Sequence, residues 1–205
     1  MIGISAITGL PRKRFAFGLK IAIDYAINNN LFLEGYTSSD RVSCVSPEED
    51  CLAGLLGITR EDFKNAVKED KKLGSFASYP YLAFKIKEYI VDRYTHKIII
   101  DAIMKRASTP GVFYIVEDIR HYFEFDMLIN NKYPVVYLWD PYHKMDSPGN
   151  EDCYLDRAAE AYDDSKYLIN VPLISVKSVK QGIIDVMNEI FNIEIPKQLL
   201  DENNI

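Results

Sequence analysis

The fold is decided by residues 113–120, which read FYIVEDIR: an apolar run that ends in two acids and an arginine. A short apolar run behind a Thr-Pro-Gly turn, here residues 109–111, is typical of a buried strand. In an open α/β sheet, ligands bind in the crevice at the carboxyl ends of the strands. We therefore expect Asp118 and Arg120 to emerge at a binding crevice. The alternative for these two residues is a structural ion pair at a strand end.

The amino-terminal segment predicts a second strand that leads into a helix. Residues 2–7 form an apolar run, residues 8–13 predict a turn, and residues 14–27 carry apolar side chains at helical spacing. Strand, loop and helix in this order are typical of a phosphate-binding P-loop. Arg12, Lys13 and Arg14 add three cations where a helix start already favours anions. The alternative for this basic cluster is a solvated helix start.

The rest of the chain continues to alternate between strands and helices. Apolar runs predict strands at residues 135–139 and 167–171. Helices are predicted at residues 47–56, from 59 onward, and at 82–94, 96–107, 155–161 and 176–191, with a loop or hairpin within residues 31–47. This alternation indicates an α/β fold with a doubly wound parallel sheet. We predict that the strands at residues 2–7 and 114–117 are adjacent and parallel at its centre.

Three segments carry a resemblance to a known family. The block D-I-R-x-x-x-E, from Asp118 to Glu124, resembles the D-V-R-F-x-N-E block of phage-type deoxynucleoside monophosphate kinases. Residues 152–156 are similar to the family's S-E-x-x-L-D segment, and residues 167–170 to its terminal I-x-N strand. The resemblance implies one P-loop kinase-like domain over residues 1–205. It also implies a helical substrate-binding insertion at about residues 31–108 and a lid-like loop at about residues 140–151.

The resemblance further implies an activity. Such a protein transfers the γ-phosphoryl group of ATP to a (deoxy)nucleoside monophosphate (dNMP) with Mg²⁺. Arg12 or Lys13 would hold the donor phosphates, Asp118 would orient the metal ion or the acceptor, and Arg120 would grip the acceptor phosphate. The other residues that we predict to bind nucleotide phosphates are Thr8, Gly9, Lys13, Arg14, Arg93, Lys144 and Arg157.

The predicted phosphate loop departs from the P-loop pattern G-x-x-x-x-G-K-S/T at every signature position. Ala6 and Pro11 replace the glycines, Arg12 replaces the lysine, and Arg14 replaces the family's threonine when residues 14–16 are aligned with its T-V-A segment. Pro11 removes an N–H donor and fixes φ near −65°. An alignment slipped by one residue places Lys13 in the lysine role. The predicted lid contains no arginine, and an arginine there can contribute about 10³ to 10⁵ in rate.

These departures leave two further hypotheses open. The first is a catalytically inactive viral descendant of such a kinase, which binds a nucleotide or a protein as a regulator. The second is a nucleotide hydrolase in which Asp118 and either Asp152 or Asp156 bind Mg²⁺, since carboxylate oxygens suit that ion.

Composition limits the remaining classes. A chain of 205 residues with 48% hydrophobic residues can bury the core of one enzyme-sized domain. The formal charge of −6 argues against a nucleic-acid partner. The three cysteines lack C-x-x-C spacing, and no apolar run approaches the ~20 residues of a membrane span. We expect a cytoplasmic protein, in the host cytoplasm if it is viral, with nucleotides and no membrane as partners. A homodimer is left open.

Overall fold

The computed structural model describes residues 1–6, 10–31, 35–44, 46–69, 72–73, 77–78, 97–119, 122–140, 159–162, 164–173 and 178–205. The chain divides into two compact units. The first unit contains Met1–Ser43 and Ala107–Ile205, and the second contains Cys44–Arg106. The second unit lies within the predicted insertion, whereas residues 31–43 belong to the first unit.

In chain order, the elements are β1 (Ile2–Ala6), α1 (Arg12–Asn28), β2 (Ser38–Ser43), α2 (Ser46–Leu56), α3 (Arg60–Lys68), β3 (Lys72–Leu73), β4 (Ala77–Ser78), α4 (Lys97–Arg106), β5 (Val112–Ile119), α5 (Tyr122–Asn130), β6 (Val135–Trp139), β7 (Leu168–Pro172), α6 (Ser178–Phe191) and α7 (Lys197–Glu202). Residues 159–161 are also helical. The predicted helix at residues 82–94 and the lid-like residues 141–150 lie outside the described residues.

The first unit is built on a five-stranded sheet in the order β2-β5-β1-β6-β7, in which every pair is parallel. β1 is the central strand, with Gly3 opposite Val116 of β5 and Val135 of β6. The prediction that β1 and β5 are adjacent and parallel is therefore confirmed. Parallel strands are normally covered by helices on both faces, and their sequences are accordingly apolar throughout.

Helices lie on both faces of this sheet. On one face, α1 and α6 pack over the side chains of Ile2 and Ile4 in a buried apolar cluster. Gly18 of α1 permits this packing, because an added Cβ would lie 2.5 Å from Ile183 of α6. On the other face, the ring of Phe125 in α5 contacts Tyr137 of β6 edge to face. The architecture is therefore an α/β fold of the doubly wound type.

The loop or hairpin predicted within residues 31–47 is wrong, because Ser38–Ser43 form the edge strand β2. Ser38–Ser43 contain one large apolar side chain, Val42, so their sequence pattern does not predict a strand. β2 pairs in register with β5 from Ser38 opposite Val112 to Ser43 opposite Glu117. Ser39 also ties the strand to α1, since its N–H and its hydroxyl donate to Oδ1 of Asp24 at 2.9 and 2.6 Å. Tertiary pairing thus forms a strand that local pattern does not predict.

The first helix also begins earlier than predicted. α1 starts at Arg12, although residues 8–13 were predicted as a turn. Pro11 has φ of −76°, which suits the residue before a helix, and its carbonyl accepts the N–H of Phe15 at 3.0 Å. Two of the three cations, Arg12 and Lys13, therefore lie inside the first helical turn rather than in the preceding loop.

The second unit contains α2, α3, α4 and the short antiparallel pair β3 and β4. Leu52, Ala53 and Phe63 form its described apolar cluster. The predicted helix start at Thr59 is confirmed, because its side chain accepts the N–H of Asp62 at 3.1 Å. Gly57 has φ of +66°, a conformation that glycine adopts without strain where a helix ends.

Candidate functional site

Charged and polar residues at the ends of three secondary-structure elements meet at the carboxyl edge of the sheet. β2 ends at Ser43, β5 ends in Glu117 and Asp118, and α1 begins at Arg12 after the end of β1. Because the strands are parallel, their carboxyl ends lie on one edge, which is where α/β proteins bind ligands. We call Arg12, Ser43 and Asp118 the edge cluster.

A β-bulge in β5 sets the direction of the Asp118 side chain. Gly3 of β1 is opposite Val116 of β5, whereas Ser5 is opposite Ile119, so β5 advances three residues while β1 advances two. Asp118 has φ of +65°, in the left-handed region. A non-glycine residue held there costs about 1–3 kcal/mol and needs support from its surroundings. Part of that support is the buried hydroxyl of Ser5, which donates to the carbonyl of Ile119 at 2.8 Å.

The Asp118 carboxylate binds to both other members of the edge cluster. It forms an ion pair with the guanidinium of Arg12 and accepts the hydroxyl of Ser43 at 2.6 Å. The side chains of Arg12 and Asp118 are only 15% and 13% exposed, so the pair is largely removed from water. Charge-assisted bonds of this kind are stronger than neutral ones and position both groups. The bulge thus directs Asp118 toward the start of α1.

Arg12 retains one donor that the edge cluster does not satisfy. Its Nε is buried and has no hydrogen-bond partner in the part of the chain that the structure describes. Leaving a buried donor unpaired costs about 1–3 kcal/mol, and more for a charged group. Such an atom therefore marks a place for an acceptor that is not a protein atom, such as a water molecule or an anion. The first turn of α1 contains no acid of its own, so Asp118 supplies the negative charge at the positive end of this helix dipole.

A second ion pair lies beside the edge cluster. The guanidinium of Arg41 in β2 binds both carboxylate oxygens of Glu117, with Nε and Nη2 at 2.8 and 3.0 Å. Glu117 is only 7% exposed, so the planar fork of Arg41 compensates a buried charge. Glu117 and Asp118 are therefore each neutralised by an arginine from a different element. The carboxyl edge offers an incoming anion two guanidinium groups that are balanced by carboxylates.

The structure brings together Arg12 and Asp118, two of the three residues predicted to be catalytic. Lys13 is exposed in the first turn of α1. Arg14 instead donates to the carbonyl of Asn204 at 2.7 Å, on the side of the carboxyl-terminal segment. The remaining predicted residues, Thr8, Gly9, Arg93, Arg120, Lys144 and Arg157, lie outside the described residues, as do Asp152 and Asp156.

Sequence reasoning missed three residues at this edge: Arg41, Ser43 and Glu117. Arg41 and Ser43 lie on β2, the strand that was predicted as a loop or hairpin. The one signal in the sequence is the alternation of Ser39, Arg41 and Ser43, which a strand places on one face. Glu117 is adjacent to Asp118, and the sequence gives no sign that its partner is Arg41 on β2.

A magnesium ion would find one described carboxylate at the edge cluster. In the described ranges, no group of three or more His, Cys, Asp or Glu side chains is arranged to hold a metal ion. Mg²⁺ is commonly bound through one or two carboxylates together with water and substrate phosphates. Asp118 and the neighbouring hydroxyl of Ser43 therefore fit Mg²⁺ only as partial ligands, with nucleotide phosphates supplying the rest.

Comparison with known proteins adds no family to these observations. No protein-family model matches the chain, and no curated protein matches its sequence. None of the described helices has the length and apolar character needed to cross a membrane. The geometry of the carboxyl edge therefore carries the functional conclusion.

Proposed function

We propose that the carboxyl edge of β1 and β5 binds the phosphates of a nucleotide. We further propose that the protein acts as a P-loop kinase-like enzyme, which transfers the γ-phosphoryl group of ATP to a (deoxy)nucleoside monophosphate. The observation that carries the proposal is the state of Arg12. Its guanidinium is largely buried at the start of α1, is held by Asp118, and has an Nε without a partner among the described residues. An arginine fork with a vacant donor at a helix start suits a phosphate oxygen.

Arg12 would bind the donor phosphates by sharing its guanidinium between Asp118 and the anion. Nη2 bonds to Asp118, whereas Nε, which is buried and has no partner in the described part of the chain, would donate to a phosphate oxygen. The positive end of α1 and the exposed Lys13 add attraction for a phosphate at the same place. Phosphoryl transfer depends mainly on positioning and on cations around the transferred group, so this arrangement is the part of the chemistry that the protein must supply.

Asp118 would serve as the positioning carboxylate of this site. Bonds from Ser43 and Arg12 fix its orientation before any ligand arrives. Mg²⁺, when bound with a nucleotide, would supply charge neutralisation of the phosphate oxygens. Arg120 follows Asp118 by two residues and remains the predicted ligand of the acceptor phosphate.

A second candidate function is nucleotide binding without catalysis, in a regulator descended from such a kinase. The observation that favours it is the neutralisation of Arg12 in its ion pair with Asp118. Asp118 neutralises Arg12, and Arg14 is directed to Asn204 rather than to the loop. In this candidate, the edge cluster holds a nucleotide in place, but Arg12 and Arg14 are bound to other groups and do not stabilise a transferred phosphoryl group.

Calorimetric titration with ATP and each dNMP, with and without Mg²⁺, tests the shared step of both candidates. The variant Arg12→Ala removes the guanidinium and should abolish ATP binding. Arg60→Ala is the matched control, because it removes an arginine that is ion-paired with Glu49 in the second unit. ATP binding should be unchanged in that control. Failure of ATP and of every dNMP to bind the parent protein would contradict both candidates.

An assay of ADP production from ATP and each dNMP then separates the candidates. The kinase proposal predicts slow but measurable turnover that disappears in Arg12→Ala and in Asp118→Ala. Turnover that is unchanged in both variants would place the chemistry elsewhere. ATP binding without ADP production from any dNMP would favour the non-catalytic candidate.

A further inference from the structure

A stacked pair of tyrosines lies just beyond the end of β5. Tyr122 is the first residue of α5, and its ring stacks on that of Tyr162 with centroids 5.7 Å apart and planes inclined by 24°. Tyr122 is nevertheless 53% exposed. Because Tyr162 covers one face of the Tyr122 ring, a flat ligand would have to stack on the opposite face. Offset stacking of this kind is a favourable arrangement of two aromatic rings.

Hydrogen bonds fix the position of the Tyr162 ring. The hydroxyl of Tyr162 donates to Oδ1 of Asp126 at 2.7 Å and lies 3.3 Å from the hydroxyl of Tyr122. Nδ2 of Asn130 donates to the same oxygen of Asp126 at 2.8 Å. Tyr122, Asp126 and Asn130 follow each other at intervals of four residues, so they lie on one side of α5. The network holds Tyr162 against α5 and presents Tyr122 as a supported aromatic surface.

This surface lies close to the edge cluster along the chain. Tyr122 follows Asp118 by four residues, and four residues span at most about 14 Å when fully extended. That distance is of the order of the length of a nucleotide. Both Asp118 and the start of α5 lie at the carboxyl edge, since α5 follows directly on β5. A phosphate at Arg12 and a flat group on Tyr122 are therefore compatible with one bound molecule.

We propose that Tyr122 stacks on the nucleobase of the nucleotide whose phosphate binds at Arg12. The inference rests on the proposed function and adds the residue that recognises the base. An aromatic face attracts any nucleobase, because every base has a π face. Stacking alone does not discriminate between bases, so Tyr122 supplies affinity for purine and pyrimidine nucleotides alike. Tyr162 and Asp126 act as positioning residues that hold the stacking face in place.

The test compares two probes, ATP and inorganic triphosphate, of which only ATP carries a base. Tyr122→Ala should weaken ATP binding by roughly 5- to 100-fold and leave triphosphate binding unchanged. Tyr122→Phe keeps the ring and should bind ATP like the parent protein. Phe17→Ala, which removes a 44% exposed ring from α1, is the matched control and should bind both probes normally. Thermal melting checks that each variant is folded.

The outcomes separate this inference from the proposed function. Unchanged ATP affinity in Tyr122→Ala, while both probes still bind, overturns base stacking and leaves the phosphate site standing. Equal weakening of both probes also overturns it, because Tyr122 would then support the phosphate site rather than the base. If neither probe binds the parent protein, the proposed function and the inference fall together.

Discussion

Replacing Asp118 with asparagine should destabilise the protein and at the same time favour phosphate binding. The change removes the negative charge that faces Arg12 but keeps the shape of the side chain and tolerates the left-handed backbone. Removing one partner of a buried ion pair costs about 3–5 kcal/mol. The asparagine oxygen still accepts one hydrogen bond, which returns ~1 kcal/mol. We therefore expect the free energy of unfolding to fall by about 2–4 kcal/mol.

Urea denaturation followed by circular dichroism measures this loss. Asp201→Asn is the control, because Asp201 is 58% exposed in its ion pair with Lys180 and should contribute less than about 1 kcal/mol. Asp118→Asn should cost much less when Arg12 is already methionine, since the pair no longer exists. Phosphate should stabilise the single variant Asp118→Asn more than the parent protein, because the negative charge of Asp118 no longer repels a phosphate at Arg12. Equal stability of Asp118→Asn and the parent protein, or equal stabilisation of both by phosphate, would refute this account of Asp118 and Arg12.

Three further predictions concern stability. Gly18→Ala should lower the free energy of unfolding by about 1–3 kcal/mol, because the added Cβ would lie 2.5 and 2.9 Å from neighbouring side chains. Gly54→Ala is the control: its Cβ enters open space, so the same free energy should rise by about 0.5–1 kcal/mol. Denaturation curves measure both changes. Arg41→Lys should lower the free energy of unfolding by about 1–2 kcal/mol, since a lysine cannot form both bonds to Glu117. An unchanged unfolding midpoint in urea would contradict this. Burial and hydrogen bonding raise the pKa of Tyr162 above the tyrosine value near 10, so its stabilising contribution is complete below about pH 10 and is lost as the pH rises further. Tyr162→Phe should therefore show a shallower fall in stability above that pH than the parent protein.

The central strands could be predicted because their local sequence pattern indicates strand conformation. β6 is a continuous apolar run, β5 is apolar as far as Val116, and β1 is mainly apolar, which fits parallel strands that are covered on both faces. β2 could not be predicted in this way, because Val42 is the one large apolar residue of the segment. Its conformation depends on pairing with β5 and on the bonds from Ser39 to Asp24, which join residues distant in sequence.

The site could be predicted only as far as strand ends allow. Arg12 and Asp118 were predicted because a helix start and the carboxyl end of a strand meet at one edge of a parallel sheet. The left-handed backbone of Asp118 depends on the register between β1 and β5, which no local pattern encodes. The partner of Arg14 is 190 residues away in sequence, so no local pattern could predict its direction.

The most direct measurement of the central claim is the Nε–H resonance of Arg12 in protein labelled with ¹⁵N-arginine. Arg12→Lys assigns the resonance, because the signal of Arg12 then disappears. Phosphate binding at Arg12 predicts that inorganic phosphate, and ATP more strongly, shift this resonance and slow its exchange with water, since the vacant donor gains an acceptor. The resonance of Arg41 Nε, which already binds Glu117, should move less. An Arg12 resonance that stays unchanged up to saturating ATP would contradict the account.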